Sequence, residues 1–172
     1  QLWMKENLKV THYRNGDEIP TGHSESEWSN LSTGAYAVYP ADDDAASQAT
    51  CGGNCSEVYG NLYNWYAVET GNLAPEGWHV PTDDEIKELE MYLGMSQSQA
   101  DGSGYRRGTN EGSKLAGRAD LWFTYGGEQN TLIESDSEFG TSGFNFLPGG
   151  YRRGNYGYYY VMGSNGFFWS ST

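Results

Sequence analysis

Positive charge is what this chain has least of. Ten Lys and Arg residues stand against 23 Asp and Glu, for a formal net charge of −13 at pH 7. Nucleic acid and anionic membrane are held mainly through Lys and Arg, so neither is expected as a partner. Long apolar runs are missing as well. Mean hydropathy is −0.72, and no stretch approaches the roughly 18 apolar residues of a membrane span, so no direct membrane insertion is expected. No signal peptide is recognisable. The chain opens on Gln1-Leu2-Trp3 without a Met, which predicts that a leader or upstream segment has been removed. Histidine is scarce and scattered, at His12, His23 and His79.

Cysteine is limited to Cys51 and Cys55, in Cys-Gly-Gly-Asn-Cys. The two glycines allow a small disulfide loop. Free thiols are the alternative, and a metal site would need two further ligands that the scattered histidines do not supply. The disulfide is favoured, and it implies an oxidising compartment outside the cytoplasm.

Glycine and aromatic residues are abundant, with 24 Gly and 15% Phe, Trp and Tyr. The expectation is one loop-rich domain over residues 1–172, with large aromatic rings supplying much of the buried area. Its C-terminal stretch, from Tyr151 to Trp169, is almost entirely Tyr, Gly, Asn, Ser and Arg. Tyrosine offers stiff amphipathic contact area and Gly, Ser and Asn adaptable hydrogen bonding, the mixture that binding loops use. An edge hairpin whose tyrosines cover a sheet would share this composition. The recognition reading is preferred, on Arg153, Asn155, Tyr156, Tyr158, Tyr159, Tyr160, Ser164 and Asn165. Arg153 is set apart from Arg152 because Arg joins Tyr and Trp at interface hot spots.

The clearest element is a helix over 83–93. Thr82-Asp83-Asp84-Glu85 forms a capping box, Ile86, Leu89, Tyr92 and Leu93 are read as one apolar stripe, and Gly94 ends it. A second short helix is expected over 112–121, where Lys114, Leu115 and Arg118 are helically spaced. Strands are expected within 1–10, at 34–39, at 143–147 and 150–152, and at 167–172, with a turn at Arg14-Asn15-Gly16-Asp17. Residues 22–34, 40–49, 96–111 and 124–142 read as irregular, and Asn61–Val68 fits strand or helix equally. Helices beside several short antiparallel strands make the fold class α+β.

Five segments together resemble a known family. Gln1 to Leu8 is similar to its QxWMxENL opening, Tyr59 to Trp65 to YGxLYxW, and Gly77 to Asp83 to GWHLPT/SD. Gly143 to Arg152 is similar to GFxALPGGYR, and Phe168 to Thr172 to WWSST. These are the marks of the Fibrobacter succinogenes major paralogous domain. The resemblance implies a C-type-lectin-like fold, carried on secreted proteins or surface lipoproteins of bacteria. It also implies a kinship with variable proteins of diversity-generating retroelements, whose adenine-directed mutagenesis favours Asn, Tyr and Ser; residues 155–165 have that composition. Family members usually continue past WWSST with a closing strand. The sequence ends at Thr172, which leaves two expectations open: the closing segment has been cut from this chain, or a partner strand or self-assembly completes the sheet.

No catalytic grouping accompanies these motifs. The reactive cysteine pair of formylglycine-generating enzymes lies late in that plan, whereas Cys51 and Cys55 lie early; no enzyme activity is expected. The Glu-Pro-Asn, Gln-Pro-Asp and Trp-Asn-Asp motifs of calcium-dependent lectins are absent. Asp42-Asp43-Asp44 reads as a solvated acidic loop rather than a calcium site, so no cofactor is expected. His79 is expected to be buried and hydrogen-bonded under the helix, and His12 and His23 to lie at the surface. The expected function is a non-catalytic module, secreted or on the bacterial outer surface, that adheres to a protein or glycan. The alternative is a structural subunit of a surface appendage.

Overall fold

The structure is a computed structural model that describes residues 1–43, 45–104, 107–124 and 135–171. Asp44, Arg106 and Thr172 lie outside the described residues, as do 125–134 of the loop expected over 124–142. The described elements run, in order, α1 (Glu25–Ser29), β1 (Tyr36–Ala37), α2 (Ala45–Thr50), α3 (Cys55–Tyr59), β2 (Leu62–Tyr63), α4 (Trp65–Glu69), α5 (Asp83–Tyr92), α6 (Gln97–Ala100), α7 (Glu111–Leu115), a 3-10 turn (Ala119–Leu121), β3 (Tyr151–Arg152) and β4 (Tyr159–Tyr160). Two antiparallel two-stranded ladders result, β1 with β2 and β3 with β4. The fold class is α+β.

Helix α5 forms where the capping box places it. The Thr82 hydroxyl accepts from the Glu85 amide at 3.2 Å, and the Glu85 carboxylate accepts from the Thr82 amide at 2.8 Å. Asp83, Asp84 and Glu85 face the positive end of the helix dipole. Ile86 and Leu93 are buried, but Tyr92 is 86% exposed. Six residues after Ile86, it is turned about 120° off the apolar stripe at 3.6 residues per turn. Gly94 follows at φ 124, past the last helical turn.

The helix expected over 112–121 is broken after Leu115. Ala116 is extended and bridges to Phe146, and the Gly117 amide donates to the Phe146 carbonyl at 2.9 Å. A Cβ on Gly117 would run into Asn145. The chain therefore lies flat against 145–146, turns through Arg118 in the left-handed region, and re-enters as the 3-10 turn.

Short caps account for helices in stretches that read as irregular. Ser24 and Glu27 form a capping box on α1, as do Ser96 and Gln99 on α6. The stretch 61–68 is both of its readings in succession. Leu62–Tyr63 pairs with β1, then Asn64 accepts from the Ala67 amide at 3.0 Å and starts α4. The N-terminal segment is not a strand; it is tied down by the Leu8 carbonyl, which accepts from the Asn61 amide at 2.9 Å. Residues 143–147 and 167–171 contribute only single bridges, Phe146 to Ala116 and Ser171 to Thr82. The expected turn at 14–17 forms, with Gly16 at φ 93.

Burial is divided among three small clusters. One holds Tyr39, Cys51, Cys55, Tyr59, Leu121, Leu147 and Met162, the second Ile19, Ala67, Val68 and Leu73, and the third Trp28, Ala35 and Ala37. Cys51 and Cys55 are joined as a disulfide, with Cα atoms 4.6 Å apart, and tie the end of α2 to the start of α3 inside the first cluster. Tyr159 packs against both the first and the third.

Candidate recognition surface

The C-terminal hairpin is built on the register Tyr151↔Tyr160 and Arg152↔Tyr159. The Arg153 amide donates to the Tyr158 carbonyl at 2.8 Å, which carries the ladder one step further. Successive strand side chains point to opposite faces. Arg152 and Tyr159 therefore share the inner face, and Tyr151, Arg153, Tyr158 and Tyr160 the outer one.

The inner face is a lock. The Arg152 guanidinium lies 4.4 Å from the Trp28 ring centre and 4.8 Å from that of Tyr159. It donates to the carbonyls of Gly157 and His23, each at 2.8 Å. Burial holds its pKa below the ordinary value and pushes that of the Tyr159 hydroxyl up. Tyr159 also meets Tyr39 with ring centres 5.2 Å apart. His23, expected at the surface, is half-buried here. Gly157, at φ 72, lies so close to the Glu25 backbone that a Cβ would collide with it. The hairpin tip is thus seated directly on α1.

The outer face is open. Tyr156 is 55% and Tyr158 46% exposed, with their rings nearly parallel at 13° and centres 6.3 Å apart. The Arg153 guanidinium lies 5.1 Å from the Tyr156 ring centre, and Asn155 is exposed beside it. Further along, Tyr151 and Tyr160 stack at 5.5 Å, and Phe167 meets Tyr151 edge-on at 4.9 Å. Four of the eight residues singled out from the sequence, Arg153, Asn155, Tyr156 and Tyr158, thus meet at the tip, and Tyr160 extends them. Tyr159 faces the core. Ser164 and Asn165 sit in a separate turn after β4, where the Ser164 hydroxyl donates to the Val161 carbonyl at 3.2 Å. Tyr151 and Phe167 belong to the outer face without having been singled out. Tyr151 lies two residues before Arg153, the period-two signal of a shared strand face.

Beside the hairpin runs an apolar cavity of about 1320 Å³, walled by Trp3, Leu62, Trp65, Ile86, Phe146 and Trp169 among others, and reaching Tyr151 and Arg153. Phe167, Phe168 and Trp169 are 55%, 49% and 46% exposed along it. His79, at the same rim, is not buried. Its side chain is 68% exposed, with Nε2 2.9 Å from the Glu85 carboxylate. The Thr82 amide, and then His79, hold the Glu85 carboxyl below the ordinary range. Among the described residues, no group of three or more His, Cys, Asp or Glu side chains is placed to hold a metal ion.

No curated protein and no solved structure matches this chain. The family model described as the Fibrobacter succinogenes major domain matches residues 1–172. The chain belongs to that family.

Proposed function

We propose that the protein is a non-catalytic binding module, displayed outside the cell, that engages a protein or glycan through the outer face of its C-terminal hairpin. The observation that carries this reading is the division of one hairpin into two unlike faces. Arg152 and Tyr159 anchor the inner face to Trp28 and Tyr39, while Arg153, Tyr156 and Tyr158 are held out with no packing role of comparable weight. Rigid exposed tyrosines beside an arginine lose little conformational entropy on binding and supply large contact area. The Cys51–Cys55 disulfide supports an oxidising compartment, secreted or lipid-anchored at the bacterial surface. A C-type-lectin-like plan, and diversification of the outer positions by a retroelement, are part of this proposal. Inner residues would be kept while outer ones change. The test is binding to glycan and protein arrays by the wild-type chain and by the combined variant Arg153→Ala, Tyr156→Ala, Tyr158→Ala. Loss of every array signal without a fall in Tm is expected; a variant that keeps its signals refutes the proposal.

A second reading, a surface-appendage subunit completed by a partner strand, is favoured by one specific observation. The apolar cavity is larger than clefts for small ligands, and three consecutive aromatic residues stand exposed along it. Mass in solution separates the two readings. A monomer near 19.1 kDa supports the binding module, and a stable oligomer supports assembly.

A further inference from the structure

All 23 acidic residues lie at or before Glu138; from Phe139 to Thr172 the chain has two Arg and no Asp or Glu. The hairpin thus carries no carboxylate of its own, and the acidic residue packed against its tip is Glu25, from the α1 side of Gly157. The fate of the chain's cations is uneven. Lys9, Lys87, Arg107, Lys114 and Arg118 each meet a carboxylate, at distances between 2.7 and 3.4 Å. Arg152 is spent on two carbonyls and two rings. The Arg153 guanidinium makes no hydrogen bond or ion pair among the described residues and lies 5.1 Å from the Tyr156 ring centre. Its planar fork of donors is free for a carboxylate, which it can bind bidentately.

We propose that the hairpin tip recognises an acidic sugar, a pyranose carrying a single carboxylate such as a uronic acid, with Arg153 on the carboxylate and Tyr156 and Tyr158 under the ring. This rests on the binding-module reading above. The two tyrosine rings stack on each other and are about half exposed, so the pair offers its outer ring face, negative in character, as an apolar platform. The C–H face of a pyranose is flat, apolar and weakly positive, and suits such a platform. A uronate fixes its carboxylate at the edge of that ring, so both contacts form at once. A glutamate side chain carries its carboxylate on flexible methylenes and leaves the rings without a matching face. Chain-wide charge sets an upper limit on ligand charge. At a net −13 the protein repels a dense polyanion, whereas charges beyond about 8 Å are screened at physiological ionic strength. A solitary carboxylate at the tip meets Arg153, the one cation on the outer face there.

The experiment is an NMR titration of the full chain, following the ring signals of Tyr156 and Tyr158, assigned with Tyr→Phe variants. The probes are methyl β-D-glucuronide, methyl β-D-glucoside and the amide of N-acetylglutamate. The glucuronide is expected to bind at least about tenfold tighter than the glucoside, the scale of one charge-assisted bidentate pair. R153Q should erase that preference and R153K should retain part of it. Equal binding of the two sugars, a preference that survives R153Q, or glutamate amide binding as tightly as the glucuronide would each overturn the proposal. The binding-module reading fails separately. If the array signals vanish in the triple variant while the sugars bind equally, only the acidic-sugar assignment falls. If the triple variant keeps its array signals, the surface itself is misplaced.

Discussion

Tyr158 and Tyr159 are neighbours in sequence, and their replacement by Ala should have opposite consequences. Tyr159 faces inward, with its ring against Tyr39 at 5.2 Å and the Arg152 guanidinium 4.8 Å from its centre. Truncating a fully buried aromatic residue to Ala costs about 3–5 kcal/mol. Tyr159 is half-buried, so roughly 2–3 kcal/mol is expected once that figure is scaled for exposure. Loss of the ring also uncovers one side of Arg152, an interaction worth about 0.5–2 kcal/mol depending on desolvation. For a chain of this size each kcal/mol moves Tm by about 2–4 °C, so the combined loss of roughly 2.5–5 kcal/mol should lower Tm by about 5–20 °C in Tyr159→Ala.

Tyr158 is 46% exposed and pairs mainly with the equally free Tyr156. Its truncation should change stability by no more than about 0.5 kcal/mol, as for other surface positions, and should abolish binding instead. Urea unfolding followed by tryptophan fluorescence reads the first quantity and array binding the second. The reasoning is refuted if the two variants lose stability equally, because the hairpin would then have no distinct inner and outer faces.

Three further outcomes follow from the same geometry. Gly157→Ala should cost at least about 1 kcal/mol, since φ is 72 and the new Cβ meets the Glu25 backbone, whereas Gly154→Ala, with open space around it, should be nearly neutral; comparable losses in urea midpoints would contradict the seating of the tip on α1. Reducing the Cys51–Cys55 bond should remove about 2 kcal/mol, the loop-closure value for so short a loop, seen as a Tm drop with dithiothreitol, and an unchanged Tm would show that the bond adds nothing. Acid should destabilise the fold. Glu27 and Glu85 are held below their ordinary value of 4.5 by the Ser24 and Thr82 caps, so their contribution is fully present above 4.5 and disappears as pH falls through the depressed folded values. Thermal melts from neutral pH downward should show that decline, less steep in Glu85→Gln, and an unaltered slope would remove the capping argument.

What was legible in the sequence depended on how local the cause is. The α5 cap needs only Thr82 and Glu85, three residues apart, and it forms as read. The caps of α1 and α6 carry the same spacing, but no long apolar stripe follows them, so Ser24 and Ser96 give a weaker helix signal. The break at Ala116 has a non-local cause, the approach of Asn145 and Phe146, and nothing in 112–121 announces it. The composition of 151–169 pointed to the right region for an exposed aromatic surface. It did not separate Tyr159 from Tyr158, because that depends on a strand register set by the Tyr151–Tyr160 pairing. The exposure of His79 has a related, non-local cause: its ring meets the Glu85 carboxylate at the start of the helix rather than lying beneath it.

The anchoring of the hairpin explains how such a surface can be both rigid and free to change. A two-stranded ladder of two residues per strand is marginal on its own in water. Here its order comes from behind. Arg152 reaches through to the His23 carbonyl and the Trp28 ring, Gly157 rests on Glu25, and Tyr159 bridges two core clusters. None of these contacts involves the side chain of Arg153, Asn155, Tyr156 or Tyr158. The outer positions can therefore be substituted with little effect on the register that holds them. If Arg152 is replaced by Met, the carbonyls of His23 and Gly157 lose their charged donor, a loss of about 1.5–3 kcal/mol for each hydrogen bond to a charged group before the desolvation cost of the guanidinium is offset. The tip should then loosen, and binding should weaken although every outer residue is still present. A variant that is destabilised yet binds with full affinity would show that the surface does not need its anchor.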